Sequence, residues 1–334
     1  MRCLELSSNW MPMSSSGTEP ADGVLDIDAV TFRECFDRGP FQIGHDLTNH
    51  PLFEISRLMQ LCRTLPETSV EYNAGNIPIS VDSEKTPGNG LSAEETIRRI
   101  AECKSWLVLK YVEQDPQYRA LLHRCLAEVA RHSELLRPGM FLAQGFIFIS
   151  SPGSVTPYHM DPEHNFLLQL RGSKRIHIFD GRDRSILTEE ELEQFYGGAH
   201  RNLTYRNNCE GTGWTFDLRP GFGLHFPVTA PHYVRNGPEV SVSFSITFRT
   251  PDLKRRRMVH ICNAFLRRRG LSPAPAGKHP RHDFLKYLFY GAASRIHRLF
   301  RGGEPPRTQA VTPNARKSDA TSLSAVFPRR VRDG

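Results

Sequence analysis

The residues whose types and spacing suggest chemistry are His159 and Asp161, one residue apart in TPYHMDPEHNFLLQLRGSKRIHIF, positions 156–179. On an extended segment, side chains at i and i+2 project to the same side, so an imidazole and a carboxylate from one strand end can chelate one ion. A further histidine from elsewhere would complete a facial set with open coordination positions. That is the arrangement suited to non-haem Fe(II) that binds oxygen and a cosubstrate. The pair alone says little. With 14 histidines in the chain, one His-x-Asp is close to what chance gives, and the plain alternative is a loop whose polar groups bond locally. Two histidines are candidates for the third ligand, His225 and His232, both in LRPGFGLHFPVTAPHYVRNG. His232 is preferred, because it follows a turn bounded by Pro227 and Pro231 and enters the next strand. His225 lies inside its own short strand, Leu224 to Phe226, and reads as a wall residue.

These residues need strands to position them, and from Met140 the chain supplies strands. MFLAQGFIFIS, NFLLQLRG, KRIHIF, FGLHFP, HYVRNG and EVSVSFSITF are punctuated by Gly and Pro. In the last of them Val240, Val242, Phe244 and Ile246 alternate with Ser241, Ser243, Ser245 and Thr247. Such a strand has one core face and one polar face, the polar face meeting solvent or lining a pocket. A helix over Thr188–Tyr196 and a loop interrupt this region.

Upstream, residues 25–135 mix helices and short strands. GPFQIGHDL reads as a strand, and Pro51–Leu65 as a helix with Leu52, Ile55, Met59 and Cys62 on one face. Ser92 and Glu95 form a capping box opening a helix to about Lys104. Trp106–Val112 reads as a strand. Pro116–Ala130 reads as a helix that buries Tyr118, Leu121, Leu122, Cys125 and Val129. Past residue 251 come basic helices. One of them, Asp283–Phe300, carries Leu285, Leu288, Phe289, Ala292, Ile296 and Leu299 along one side, a packing face for the barrel or for a second subunit. The expected organisation is a disordered tail (1–23), an α/β region (24–135), a strand-rich domain (136–250), basic helices (251–300) and a flexible basic tail (301–334).

Of the 334 residues, 39% are hydrophobic and 24% charged, a composition of soluble globular chains. The net charge of +7 divides unevenly: the part from Pro251 onward carries +14 and the first 250 residues −7. No apolar run reaches the ~18 residues of a membrane span, and the first residues lack a signal-peptide core. The seven cysteines are scattered singly, without a CxxC pair. They read as reduced thiols in a cytoplasmic protein.

Residues 156–179 resemble the metal-binding segment of the JmjC and cupin-like hydroxylases, including the HIF asparaginyl hydroxylase type. That family shows T-P-x-H-x-D, then N-F/L-x-x-Q, then G-x-K-R, and later a proline five residues before the distal histidine. Pro227 and His232 have that spacing here, and an Asn236-Gly237 turn follows. The resemblance covers about residues 140–250. It implies a mainly β fold with flanking helices: a double-stranded β-helix (jelly-roll or cupin) core with N- and C-terminal helical additions. It also implies Fe(II) and 2-oxoglutarate as cofactors, with His159, Asp161 and His232 as iron ligands. Thr156 and Lys174 would hold the distal carboxylate of 2-oxoglutarate, with Asn165 near its chelating end. Ser243 and Ser245 stand where some relatives use asparagine near the cosubstrate, which makes Ser245 a cofactor-binding candidate. Two positions depart from the pattern. Thr229-Ala230-Pro231 replaces a tryptophan before the distal histidine, and Phe222 replaces an acidic residue.

The expected activity is hydroxylation of a protein side chain or a small molecule, with release of succinate and CO2. No GxSxG, Cys-His signature or Gly-rich phosphate loop points elsewhere. The alternative is a metal-binding cupin without oxygenase activity, acting as a regulator. That protein would be associated with nucleic acid through Lys254–Arg257 and Arg267–Arg269 as phosphate contacts. No membrane partner is expected, and a homodimer would form through the C-terminal helices.

Overall fold

A computed structural model describes residues 23–81, 87–206, 209 and 211–300, the side chains of 293–300 excepted. The expected tails, 1–23 and 301–334, lie outside the described residues apart from Gly23. In chain order the elements before the barrel are β1 (Leu25–Asp26), α1 (Ala29–Cys35), β2 (Phe41–His45), α2 (Ile55–Thr64), β3 (Val70–Ala74), α3 (Ala93–Arg98), β4 (Ser105–Lys110) and α4 (Pro116–Ser133). There follow β5 (Phe141–Ser150), β6 (Val155–His159), β7 (His164–Arg171), β8 (Lys174–Ile178), α5 (Glu189–Tyr196), β9 (Trp214–Leu218), β10 (Phe222–Phe226), β11 (His232–Asn236) and β12 (Ser241–Arg249). The chain closes with α6 (Pro251–Arg267) and α7 (Pro280–Phe300).

Two antiparallel sheets result. The larger has the order β1-β2-β10-β7-β12-β5-β4-β3 and the smaller β6-β11-β8-β9. From β5 onward the chain passes between the two sheets, so β10-β7-β12-β5 faces β6-β11-β8-β9. This is a double-stranded β-helix with helices around it. The N-terminal strands extend the larger sheet at both edges instead of forming a separate layer.

Strand parity decides what fills each side of the larger sheet. On β7, Phe166, Leu168 and Leu170 face outward, and on β12 so do Val242, Phe244 and Ile246. They meet α1, α2 and α4 through residues such as Phe32, Leu58 and Leu122. Each such side chain contributes roughly 1.5–3 kcal/mol of burial. The other parity faces into the barrel. There Leu167, Ile176, Ile178, Leu218, Leu224 and Val234 form a second cluster. The serine face of β12 is also buried, with Ser241, Ser243, Ser245 and Thr247 all at 4% exposure or less. The polar face therefore lines the interior and does not meet bulk solvent.

Several local expectations are corrected. Pro51–Leu65 is not one helix. A short turn, Pro51–Phe53, precedes α2, because the Leu52 carbonyl accepts from the Tyr118 hydroxyl (2.5 Å) and the backbone is extended at Glu54. The buried face of α2 is Leu58, Leu61 and Cys62. The helix after Ser92 stops at Arg98, and Lys104, at φ 48°, redirects the chain into β4. Ser92 accepts from the Glu95 N–H (3.2 Å), but Glu95 pairs with Arg98 (2.6 Å) instead of closing a box. The complete capping box is at α5, between Thr188 and Glu191.

By contact density the chain divides into two units. One holds the described residues of Met1–Ile186 and Asn202–Pro251, the other those of Leu187–Arg201 and Asp252–Gly334. Thus α5, although it interrupts the barrel sequence, belongs with α6 and α7. Within that second unit Arg267 binds Glu193 (2.9 Å) and Glu190 (3.0 Å). The expected packing stripe of α7 is not buried. Phe284, Leu285, Leu288 and Phe289 are between 49% and 62% exposed, and Ala292 is exposed as well. The side chains of Ile296 and Leu299 lie outside the described residues. It is the polar side of α7 that is held: Lys286 donates to the Ala274 carbonyl (3.2 Å), and Asp283 accepts from the Gly277 N–H (2.7 Å).

The hairpin joining β7 to β8 has a sharp requirement. Gly172 has φ 66°, and a Cβ there would sit 2.5 Å from the Val240 carbonyl oxygen. Gly172→Ala should lower unfolding free energy by about 1–3 kcal/mol, read as a lower urea midpoint at unchanged slope. An unchanged midpoint would contradict this account of the turn.

Candidate metal centre

His159 ends β6 and His232 begins β11, and the two are directly paired across these antiparallel strands. Their rings lie 4.2 Å apart, centroid to centroid. Asp161 follows two residues beyond His159. Its Oδ2 is 3.7 Å from Nε2 of His159 and 3.7 Å from Nε2 of His232. One ligand atom from each residue lies within 4.8 Å of the others, the only such cluster of three or more among the described residues. Both histidines are nearly buried, at 5% and 4% exposure.

The donor set fits a divalent transition metal. Nδ1 of His159 lies 2.7 Å from the Pro157 carbonyl, and Nδ1 of His232 lies 2.9 Å from the Ala230 carbonyl. A ring N–H donated to each carbonyl fixes the tautomer and leaves both Nε2 lone pairs facing the shared space, as outer-shell partners of metal-binding histidines do. The Thr229 N–H donates to the Asp161 carbonyl (2.9 Å). Two imidazoles and one carboxylate thus converge on one face, a donor set that would suit such an ion.

His225 is elsewhere. It is fully buried on the outer side of β10, stacked on Phe36 and close to Phe166, with Nδ1 at the Asn165 carbonyl (3.1 Å). Burial, reinforced by the nearby His164, holds its protonation well below the ordinary histidine range, so it packs as a neutral ring.

The cosubstrate candidates line the same interior. Thr156 is paired with Val234, which belongs to the barrel cluster. Lys174 opens β8 and pairs with Asn236. It is 4% exposed, its Nζ lies 5.6 Å from the Phe148 ring centroid, and no hydrogen bond or ion pair with a described residue engages it. Burial alone pushes its amine down to about 7. Asn165 on β7 pairs with Phe226 and Thr247, and Phe226 touches the His232 ring at 4.7 Å. Asn165 is thus at the metal end and Lys174 at the far end. Ser245 does not stand alone as a ligand group: its hydroxyl donates to Asn165 Oδ1 (2.8 Å). Ser243 donates likewise to Gln169 Oε1 (2.6 Å).

Sequence reasoning missed two contributors. Asn236 donates to Ser154 while its Oδ1 is buried and unpaired beside Lys174. The Asn-Gly pair signalled only a turn. Thr229, at φ 60°, holds the Asp161 loop. Nothing in its residue type announces this, since a β-branched residue is disfavoured there.

No family model matches the chain. Over 104 residues it is 34% identical to Jumonji C domain-containing protein 5 of Drosophila melanogaster, a match covering 29% of this chain and 26% of that protein. Over 108 residues it is 30% identical to JmjC domain-containing protein D of Dictyostelium discoideum, covering 30% and 23%. The chain thus matches about a quarter of the length of these curated relatives. Among solved structures it is similar to YcfD of Escherichia coli at 16% identity and a TM-score of 0.49, covering 84% of this chain and 69% of that one. A YcfD structure described as a ribosomal oxygenase in complex with cobalt and 2-oxoglutarate matches at 15% identity and a TM-score of 0.43, covering 86% and 76%. Strand order defines the fold, a double-stranded β-helix with flanking helices, and about 30% of the chain is similar in sequence to JmjC domain-containing proteins.

Two outcomes follow from the geometry. His232→Ala and Asp161→Ala should each weaken Co(II) binding in calorimetry by more than the about 10–100-fold typical of outer-shell losses, while His225→Phe should not. The lysine gives a pH dependence. Its folded value of about 7 lies below the ordinary 10.5, so between these pH values the unfolded chain holds the extra proton and stability rises with pH. A bound carboxylate favours the ammonium. Dicarboxylate affinity should therefore be full below about pH 7 and fall by up to about tenfold per unit above it; in Lys174→Met that slope should vanish.

Proposed function

We propose that the protein is an Fe(II)- and 2-oxoglutarate-dependent oxygenase that hydroxylates a protein side chain or a small molecule, releasing succinate and CO2. The observation that carries this reading is Lys174. A buried amine with no protein counter-charge, at the far end of a barrel whose near end holds a two-histidine, one-carboxylate set, is a site for an acid that spans the two. A mere metal binder needs the ligands but not the lysine.

In this reading His159 and His232 bind through Nε2 and Asp161 through its carboxylate. Lys174, with the Thr156 hydroxyl, holds the distal carboxylate, and Asn165 donates to the chelating end. The apolar side chains between them, Leu167, Ile176 and Val234 among others, exclude water from the reacting space. Bound iron supplies the redox chemistry, coupling oxidative decarboxylation of the cosubstrate by O2 to hydroxylation of a C–H bond. The protein's own part is geometry, so no side chain is required as general base.

No described helix is long and apolar enough to cross a membrane. Our reading of a cytoplasmic location rests on the singly scattered cysteines. The exposed stripe on α7 is our candidate for a homodimer contact. The basic residues of α6, with Lys254, Arg255 and Arg257 exposed, are our candidate for contact with nucleic-acid phosphates. Retention of nucleic acid that falls steeply with salt would support that contact; no retention at low salt removes it.

Anaerobic titration with Fe(II) and 2-oxoglutarate tests the main proposal. Wild type should develop a weak visible charge-transfer band, and His159→Ala and Lys174→Ala should not. A wild type that binds metal but gives no band, and releases no succinate with any peptide or metabolite, would leave only the regulatory alternative.

A further inference from the structure

We infer that Ser245 is a positioning residue that aims the Asn165 amide, and that through it the site favours a 2-oxo acid over a plain dicarboxylate. The inference rests on the oxygenase reading and concerns which end of the acid each side chain serves.

Asn165 projects into the barrel with Leu167 and Gln169 and is 9% exposed. The β12 residue directly across from it is Thr247. Thr247 does not reach the amide, because its hydroxyl donates to the Gln144 carbonyl on β5 (3.2 Å). Ser245, two residues earlier on the same face and only 2% exposed, reaches it instead, with Oγ donating to Oδ1 at 2.8 Å. A serine hydroxyl has one proton to give. With that proton on Oδ1, the amide cannot rotate without losing the bond, and Nδ2 must face the other way. No described residue accepts from Nδ2.

The neighbouring rung shows the same device with a different outcome. Ser243 donates to Gln169 Oε1 (2.6 Å), but Gln169 Nε2 is already committed to the carbonyls of Arg171 (2.7 Å) and Gly172 (3.2 Å) and to Ser241 Oγ (2.9 Å). One serine–amide pair thus ties down the β7–β8 turn. The other leaves a donor unclaimed in the interior, at the end where Phe226 touches His232. An unclaimed donor near the metal set serves the 2-oxo oxygen at that end, whereas Lys174 serves the opposite carboxylate. The two ends should therefore respond separately to mutation.

The test compares 2-oxoglutarate with glutarate, which keeps both carboxylates and lacks the oxo group, on Co(II)-loaded protein by calorimetry. In Ser245→Ala the Kd for 2-oxoglutarate should rise about 2- to 10-fold, the loss expected of one such hydrogen bond. The Kd values for glutarate and for Co(II) itself should stay as in wild type. Ser245→Thr, which keeps the hydroxyl, should restore 2-oxoglutarate binding, and Lys174→Met should weaken both acids. Equal weakening of both acids in Ser245→Ala would mean a merely structural serine, and unchanged 2-oxoglutarate binding would mean that the amide needs no aiming; either overturns the inference while leaving the oxygenase reading intact. If wild type binds neither acid, both fall together.

Discussion

An ammonium inside a barrel is the constraint around which the rest of this interior is arranged. Lys174 loses its hydration on folding and gains no carboxylate in return, and burial pushes its amine toward neutrality. A chain under selection only for stability would replace it with an apolar residue, since an unpaired buried charge is among the costliest features a core can hold. The surroundings lower that cost only partly. Phe148 presents a ring face at 5.6 Å, and the buried, unpaired Oδ1 of Asn236 lies on the adjoining strand. Neither neutralises a charge. A bound carboxylate would neutralise it, and the serine face of β12 gives the surrounding interior polar walls.

The three candidate ligands converge because of a register shift in the smaller sheet. Thr156 and His159 are three positions apart, so on a regular strand their side chains would face opposite ways. Between β6 and β11 the register shifts, pairing His232 with His159 but Val234 with Thr156. This bulge gives β6 one residue more than β11 over the interval, which turns both Thr156 and His159 inward. Bulges commonly re-aim a side chain beside a functional site. Tyr158 and Tyr233, on the outer side, anchor the irregular stretch in their own cluster with Phe179 and Ile186.

The barrel strands were legible in the sequence because alternation in β12 and the Gly and Pro breaks are local signals. The metal set was legible in part. The i, i+2 spacing of His159 and Asp161 follows from strand geometry, but choosing His232 over His225 needed the turn at Pro227–Pro231. The structure separates the two histidines to opposite sides of the larger sheet's wall. What stayed hidden depends on contacts far apart in the chain. The Tyr118 hydroxyl that breaks the helix at Leu52 comes from 66 positions away. The stripe of α7 is exposed at Phe284, Leu285 and Leu288 while Asp283 and Lys286 are held, and periodicity alone does not say what such a stripe packs against.

The turn before His232 shows how the three side chains are held in place. Thr229 adopts φ 60°, a conformation that costs a β-branched residue on the order of 1–3 kcal/mol. The conformation has consequences on both sides of the centre. It directs the Thr229 N–H at the Asp161 carbonyl, and it leads directly to Ala230, whose carbonyl fixes the His232 ring through Nδ1. One strained residue thus ties the HxD loop to the distal histidine through backbone groups, which do not depend on side-chain rotamers. Here Ala230 is small and buried, and hydrogen bonds hold the turn in place of bulk. Side chains fixed in advance would lose little freedom on binding an ion.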